Sequence, residues 1–489
     1  MLFSSIVFLY FFLPFVLFLY FIVPTKGKNF VLFSVSVLFY AWGEPVYVLL
    51  MLAQIVAAFV LTGGVERFRD SKAGRVFYIL SVFLPFAALF YFKYYVFFME
   101  NLFRMQPKAL PLPIGISFYT FQIVSYCVDV YHKRVDRQKN LITFAAYVTL
   151  FPQLVAGPIV RYSEIAQTLT QKVHCHEVYS RLEKGIVRFV VGLGKKVLIA
   201  NVVGEFVIEV AALDHRTVAL SWAYAIAVAL QIYFDFSGYS DMAIGLGGMF
   251  GFEFPENFRY PFISESVSEF WRRWHITLGS WFRDYVYIPM GGNRVRMTRW
   301  IFNILVVWLF TGLWHGAGWN FIVWGLLFAG LLVFEKGLGK LWKKVQSTNN
   351  LQDNKFIRFM WKTVKHCYVA CVIIISFLVF HNGQLQEAWA DIQSLVGQGK
   401  HITETMRSSD MAVCVYLLRN RIGILCVGLI GSLPALTWLW TAIGQRLEKS
   451  KVGDIIICVV QPVCVIGLLV LCTAYLIDGS FNPFLYFRF

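Results

Sequence analysis

The stretch WIFNILVVWLFTGLWHGAGWNFIVWGLLFAGLLVFE, residues 300–335, decides the fold. Two apolar runs flank a glycine-rich break from Gly312 to Gly318, and His315 lies inside that break. A helix needs about 20 mainly apolar residues to cross the hydrocarbon core of a bilayer. The stretch therefore predicts membrane helices that hold an ionisable side chain at the break between them.

The rest of the chain has the composition of a polytopic membrane protein. Hydrophobic residues make up 58% and charged residues 15% of the 489, whereas soluble domains carry about 25% charged residues. The run at 141–160 is interrupted by Pro152, Gly157 and Pro158, which is typical of a broken or re-entrant helix. We predict an all-α integral membrane protein, a polytopic helical bundle of roughly 10–12 spans in the cell membrane. The other predicted spans are 2–23, 30–43, 46–62, 76–98, 112–130, 186–211, 218–248, 366–381, 411–442 and 454–477.

The net charge of +16 comes from Lys and Arg residues whose positions along the chain predict a membrane orientation. In a soluble protein this charge would suggest nucleic acid as a partner, but in a membrane protein Lys and Arg collect in cytoplasmic loops. We therefore expect no nucleic-acid partner, cytoplasmic basic loops and an outer position for residues 382–410. We expect residues 1–489 to form one membrane domain, with 252–300 as an interfacial segment on the cytoplasmic side. The nine scattered cysteines indicate no metal site. The basic stretches are 26–28, 65–75, 132–139 and 336–365.

His315 is the first candidate for chemistry. Ionisable groups at membrane depth are costly and usually line a cavity or a pathway, and an imidazole is a suitable general base near neutral pH. The neighbouring glycines allow a backbone or a substrate to approach closely. A structural histidine that bonds to a neighbouring helix is an equally good interpretation of the position alone.

A second candidate is FWRRWHITL, Phe270–Leu278, followed by WFRDY, Trp281–Tyr285. Its tryptophans predict an interfacial segment with aromatic rings in the headgroups and arginines toward water or phosphate. His275 is then a second site histidine, and Arg272, Arg273 and Arg283 form a docking patch for an anionic cofactor. A simple membrane anchor in contact with lipid headgroups explains the same composition.

Two carboxylates, Asp235 and Asp241, lie in the apolar stretch QIYFDFSGYSD, Gln231–Asp241. Carboxylates in such a place should face a wet interior, where they could orient a histidine or pair with an arginine. Polar contacts between packed helices are the alternative.

Six segments in a fixed order carry a more specific pattern. The segments are LPIGISFYTFQ (Leu112–Gln122), FPQLVAGPIVRY (Phe151–Tyr162), YFDFSGYSD (Tyr233–Asp241), NFRYPFISESVSEFWRRWHITLGSWFRDYVYIPMGG (Asn257–Gly292), TGLWHGA (Thr311–Ala317) and NPFLYFRF (Asn482–Phe489). In this order they resemble the membrane-bound O-acyltransferases, and among them the alginate O-acetyltransferase-like branch. Two departures from that branch are His381-Asn382, where an Arg-Ala pair is common, and Phe59–Gly64, which replaces a tyrosine-containing turn.

The resemblance implies a central funnel through the membrane, with His315 as the family's invariant catalytic histidine and His275 in the second signature position. Asp235, Trp314 and Asp241 are expected to line the channel or orient groups in it. The resemblance also implies a cytoplasmic thioester donor, which we expect to be acetyl-CoA. The expected partners are membrane lipids and an extracytoplasmic polysaccharide, or a secreted esterase-like acetyltransferase that relays the acyl group.

Three alternatives to acetyl transfer are open at this point. A teichoic-acid D-alanyl transferase of the same family would take its acyl group from a carrier protein. A proton-coupled transporter or flippase would use His315 and Asp235 as a proton relay, although transporters usually show paired repeats of broken helices. A non-catalytic membrane scaffold would not need a histidine on a glycine-rich break.

Overall fold

The computed structural model describes residues 2–108, 111–170, 175–348, 355–402, 407–447 and 451–479. The regular structure in these ranges is helical, which confirms the all-α prediction. The terminal segment NPFLYFRF, which contributes to the resemblance, lies outside the described residues. The helices are α1 Leu13–Ile22, α2 Lys28–Gly43, α3 Tyr47–Arg67, α4 Lys72–Asn101, α5 Ile116–Tyr131, α6 Leu141–Thr149, α7 Phe151–Leu154, α8 Tyr162–Thr170, α9 Cys175–Gly194, α10 Val202–Ala211, α11 Val218–Met249, α12 Val267–Arg273, α13 Ile276–Phe282, α14 Met297–His315, α15 Trp319–Thr348, α16 Lys355–His381, α17 Leu385–Leu395, α18 Ser408–Gly431, α19 Ala435–Leu447 and α20 Lys451–Asp478.

Eight helices in the described ranges are long and apolar enough to cross a membrane. The sequence predicts more because it also counts the runs 2–23, 30–43, 112–130 and 186–211; of the helices in these runs, α2 and α5 have only 16 residues each. Nearly all of α5 is buried inside the protein, so its backbone is shielded from lipid by other helices. The eight are α3, α4, α11, α14, α15 to Gly339, α16, α18 and α20 from Cys458.

The predicted breaks in the apolar runs are present. α6 ends at Thr149 and the four-residue α7 carries Pro152 in its first turn. Proline lacks an N–H and clashes with the preceding turn, so it is tolerated best in the first turn of a helix. At the second break α14 ends at His315 and α15 begins at Trp319.

Helix α11 is the central column of the bundle, and it packs most extensively against α9. Pairs of glycines make this close approach possible. A Cβ at Gly238 would lie 2.8 Å from the carbonyl oxygen of Gly192, and one at Gly245 would lie 2.6 Å from that of Gly185. Small residues of this kind let membrane helices approach at the backbone.

Two tryptophans of the segment 252–300 pack inside the protein. Trp274 and Trp281 are only 4% and 3% exposed, and their rings pack against Phe377 and Phe121 at 5.0 and 3.8 Å. The expectation that these rings anchor in lipid headgroups is therefore wrong. Their burial instead fixes α12 and α13 between two apolar cores.

Contacts between loops define one end of the bundle. Arg137 pairs with Glu66 at 3.5 Å, which joins the basic stretches 132–139 and 65–75. Lys365 contacts Glu265 at 3.5 Å, which brings the stretch 336–365 to the segment 252–300. Arg161 pairs with Asp284 of the same segment at 2.8 Å, close to where Tyr285 donates a hydrogen bond to Asp129 just before stretch 132–139. These basic stretches therefore gather at the end of the bundle where α4 begins.

The opposite end carries the loop after α16. Trp319 Nε1 donates a hydrogen bond to Asn101, the last residue of α4, at 2.8 Å. Asn320 donates to the carbonyl oxygen of Asn382 at 3.0 Å. Since α4 runs for 30 residues between its two ends, the stretch that follows Asn382 begins at the end away from the basic loops.

Candidate active site

His315 is the last residue of α14 and is 7% exposed. A Cβ at Gly312, one turn earlier, would lie 2.3 Å from the carbonyl oxygen of Phe321, so a glycine is needed there to turn α14 tightly into α15. The Nε2 atom of His315 is buried and has no hydrogen-bond partner among the described residues. The ring contacts Trp314, Trp324 and Phe380, with centroids 5.0, 5.2 and 5.1 Å away.

Two side chains of α4 hold the end of α14. Lys93 donates hydrogen bonds to the carbonyl oxygens of Trp314 and His315, the latter at 3.2 Å. Tyr94 donates to that of Leu313 at 2.7 Å. The last carbonyl groups of a helix have no partner within the helix and favour a positive charge nearby. Lys93 and Tyr94 supply these partners from a second helix and so fix the position of His315.

His275 precedes α13 and is buried, with a left-handed φ of 44° that is strained for a residue with a side chain. Its Nδ1 lies 3.0 Å from Oδ1 of Asn257, which also accepts the Thr277 hydroxyl at 2.9 Å. The amide nitrogen of Asn257 donates to Ser240 and to the carbonyl oxygen of Gly157. Burial lowers the pKa of His275 to about 3, so the ring is neutral at physiological pH.

The structure brings the two predicted histidines together. Their ring centroids are 6.4 Å apart, and the ring of Trp314 lies beside both, at 5.6 Å from His275. Phe236 of α11 packs edge-on against His275 at 4.7 Å. Like that of His315, the Nε2 of His275 is buried and has no partner among the described residues. An apolar enclosure with two available imidazole nitrogens is suited to removing a proton from a hydroxyl group.

A cavity of about 420 Å³ extends from His275 toward the basic end of the bundle. Arg272 and Arg283 line it, and Ser280 and Thr311 add hydroxyl groups. The cavity can therefore hold an elongated ligand with a negatively charged end, placing the other end beside His275.

The three predicted arginines have different surroundings. Arg273 does not line the cavity, since its guanidinium bonds to Glu269 at 2.9 Å. Arg283 contacts the neighbouring Asp284 at 2.7 Å. Burial raises the pKa of Asp284, but the Arg283 hydrogen bond helps to lower it below its usual value. Arg272 lines the cavity and forms no ion pair among the described residues.

The two predicted carboxylates do not reach the histidines. Asp235 forms a buried ion pair with Lys196, and Asp241 pairs with Arg188 and Lys195, each at 2.6 Å. These partners lie on α9 and the π-helix Lys195–Asn201 that follows it. The carboxylates therefore stabilise the packing of α11, and the channel role expected for them has no support in this geometry.

Two residues of the site were missed by the sequence analysis. Lys93 is a charged residue in the apolar run at 76–98, and a charge at that depth is a signal that could have been used. Asn257 carries no such signal, because it lies in a polar stretch and only the fold brings it to His275.

Comparisons with known proteins identify the family of this chain. Residues 130–381 match the model for MBOAT, the membrane-bound O-acyltransferase family. The probable alginate O-acetylase AlgI of Pseudomonas aeruginosa is 38% identical over 413 residues, 82% of this chain and 75% of that protein. The peptidoglycan O-acetyltransferase of Helicobacter pylori is 35% identical over 366 residues, 67% of this chain and 69% of that protein. The teichoic acid D-alanyltransferase of Bacillus subtilis is 30% identical over 288 residues, 56% of this chain and 68% of that protein. The chain therefore belongs to the membrane-bound O-acyltransferase family and is an integral membrane O-acyltransferase similar to the alginate O-acetylases.

Proposed function

We propose that this enzyme transfers an acetyl group from a cytoplasmic thioester, acetyl-CoA, to a hydroxyl group on the outer side of the membrane. The observation that carries the proposal is the pairing of two buried histidines, each with an available Nε2, one of which, His275, lines a cavity that arginines also line. His315 is the general base that removes the proton of the attacking hydroxyl. Positioned bases of this kind contribute about 10²–10⁴-fold to a rate.

The donor occupies the cavity that His275 lines. Arg272 and Arg283 hold its phosphate groups, since guanidinium groups form strong, charge-assisted hydrogen bonds to phosphate. The thioester then lies near the histidines, and the acceptor hydroxyl attacks its carbonyl carbon directly. Direct transfer is preferred because neither the sequence nor the described site offers a serine or cysteine nucleophile beside a base.

The acceptor is a secreted polysaccharide, or a hydroxyl of a secreted partner that relays the acetyl group to it. Two of the similar proteins are named for the O-acetylation of alginate and of peptidoglycan. D-alanyl transfer is the second candidate, because a teichoic acid D-alanyltransferase is also similar. Its identity is lower and covers less of this chain, which favours acetyl transfer. A neighbouring gene for a secreted esterase-like acetyltransferase would support acetylation, whereas genes for a carrier protein and its ligase would support D-alanylation.

The test is the O-acetyl content of the extracellular polymers of a deletion strain complemented with wild type, His315→Ala or His315→Gln. Glutamine can donate and accept hydrogen bonds but cannot take up a proton near neutral pH. We expect both variants to abolish acetylation while the folded protein stays near wild-type levels. Acetylation restored by well-expressed His315→Gln would contradict the base role. D-alanyl ester content measured in the same strains separates the two acyl groups.

A further inference from the structure

The hydrogen bonds around Asn257 fix the orientation of its side-chain amide. The carbonyl oxygen of Gly157 can only accept, so the atom 3.3 Å from it must be the Nδ2 of Asn257. The backbone N–H of Thr277 can only donate, so the atom 3.4 Å from it must be Oδ1. Ile159 N donates to the Thr277 hydroxyl, which leaves that hydroxyl to donate to Oδ1 of Asn257. A flipped amide would conflict with both backbone groups.

This orientation determines which nitrogen of His275 carries the proton. Oδ1 of Asn257 can only accept, and it lies 3.0 Å from Nδ1 of His275, so Nδ1 is the protonated nitrogen of the neutral ring. Nε2 then has a lone pair and no hydrogen. It is buried without a partner among the described residues, on a ring that lines the arginine-lined cavity.

We infer that Asn257 is a positioning residue that holds His275 in the Nδ1–H form, so that His275 presents a hydrogen-bond acceptor to the bound substrate. The inference rests on the proposed function and deepens it. In this form His275 accepts an N–H or O–H of the substrate, and it cannot donate to the oxyanion that forms on the thioester carbonyl. That oxyanion must be stabilised by another donor.

The transfer step then balances without a proton from His275. His315 takes the hydroxyl proton as the new C–O bond forms, and the C–S bond breaks when the tetrahedral intermediate collapses. The proton on His315 finally passes to the thiolate, which leaves as a thiol. His275 stays neutral throughout and orients the reactants by accepting one hydrogen bond.

The test is the ¹⁵N NMR spectrum of the full-length protein labelled at histidine, purified in detergent micelles. The His275 signals are identified by their loss in His275→Gln. We expect wild type to show a protonated Nδ1 and an unprotonated Nε2, and Asn257→Leu to lose this preference. Asn257→Asp retains an acceptor oxygen and should keep the Nδ1–H form. Thr277→Val is the matched control, since it removes a neighbouring hydroxyl but leaves Asn257 beside His275.

Acetyl transfer from acetyl-CoA is measured on the same samples. We expect kcat to fall about 10-fold or more in Asn257→Leu, as for other groups that orient a functional histidine, with partial recovery in Asn257→Asp. An Nε2–H form in active wild-type protein would overturn the inference and leave the proposed function intact. An Nδ1–H form in protein that transfers no acetyl group would contradict the proposed function and leave the inference about the tautomer intact. If Asn257→Leu does not fold, the wild-type and Asn257→Asp spectra still decide the tautomer.

Discussion

A polar atom buried without a hydrogen bond is costly, and both site histidines retain one at Nε2. A substrate that supplies the missing partner would remove this cost, which is a physical reason to place the reaction between the two rings. His315 can be recognised from the sequence because a lone ionisable side chain stands out in an apolar run. The orientation of His275 cannot, because it depends on backbone groups of Gly157 and Thr277 that only the fold brings together.

Lys93 gives a first prediction at this scale. Lys93→Met removes the donor to the carbonyl oxygens of Trp314 and His315, and a buried acceptor without a partner costs about 1–3 kcal/mol. We expect a lower melting temperature in detergent and a marked loss of acetyl transfer. Tyr94→Phe is the control, since it frees only the carbonyl oxygen of Leu313 and should cost less in both measurements. Equal effects of the two changes would show that Lys93 contributes no more than Tyr94 to fixing the end of α14.

The cavity arginines give a second prediction. Arg272→Gln should raise the apparent KM for acetyl-CoA about 10-fold with little change in kcat, because a charged hydrogen bond contributes about 1.5–3 kcal/mol. Arg273→Gln is the matched control: Arg273 bonds to Glu269 rather than lining the cavity, so its KM should stay near that of wild type. Steady-state kinetics on the purified variants measures KM and kcat for each. A KM that rises equally in both variants would indicate a general loss of positive charge rather than a specific contact.

At the scale of helices, the sequence indicates where apolar runs stop but not how helices pack. The breaks at Pro152 and at Gly312–Gly318 are indicated in the sequence by clusters of proline or glycine, which weaken a helix locally. The glycines of α9 and α11 carry no such local signal, because their role exists only when the two helices meet. Asp235 and Asp241 show the same limit: the sequence marks them as polar, and only the packing reveals that they face α9 and its π-helix.

This packing predicts the effect of a single methyl group. Gly238→Ala would place a Cβ 2.8 Å from the backbone oxygen of Gly192, and overpacking of this kind costs about 1–3 kcal/mol. Gly330 of α15 has nothing within 4 Å of an added Cβ, so Gly330→Ala should be neutral or slightly stabilising. Thermal unfolding in the same detergent compares the two variants. A Gly238→Ala protein as stable as Gly330→Ala would show that α9 and α11 can separate without loss.

At the scale of the whole molecule, the all-α membrane fold follows from composition and apolar runs, because lipid permits few other spanning structures. The number of spans does not follow, since buried apolar helices such as α5 resemble membrane-crossing ones in sequence. The two ends of the helical bundle also differ from each other. The basic stretches meet at one end and the loop after α16 starts at the other. Arg272 and Arg283 line the cavity beside His275, and Asp284, next to Arg283, pairs with Arg161 at the basic end. Under the proposed function, the donor and the acceptor would therefore approach from opposite sides.

The orientation of this arrangement in the cell is the last prediction. Lys and Arg are enriched in cytoplasmic loops, so the basic end should face the cytoplasm, where acetyl-CoA is made, and the loop after α16 should face outward. Single cysteines are placed at Gln386 and at Arg134, both exposed in the structure, and intact cells are treated with a membrane-impermeant maleimide. The parent protein with its nine native cysteines provides the background. We expect labelling above background at Gln386→Cys alone, with Arg134→Cys becoming reactive only after the membrane is permeabilised. The reverse pattern would place the arginine-lined cavity outside the cell, away from any thioester donor, and would overturn the proposed direction of transfer together with the orientation.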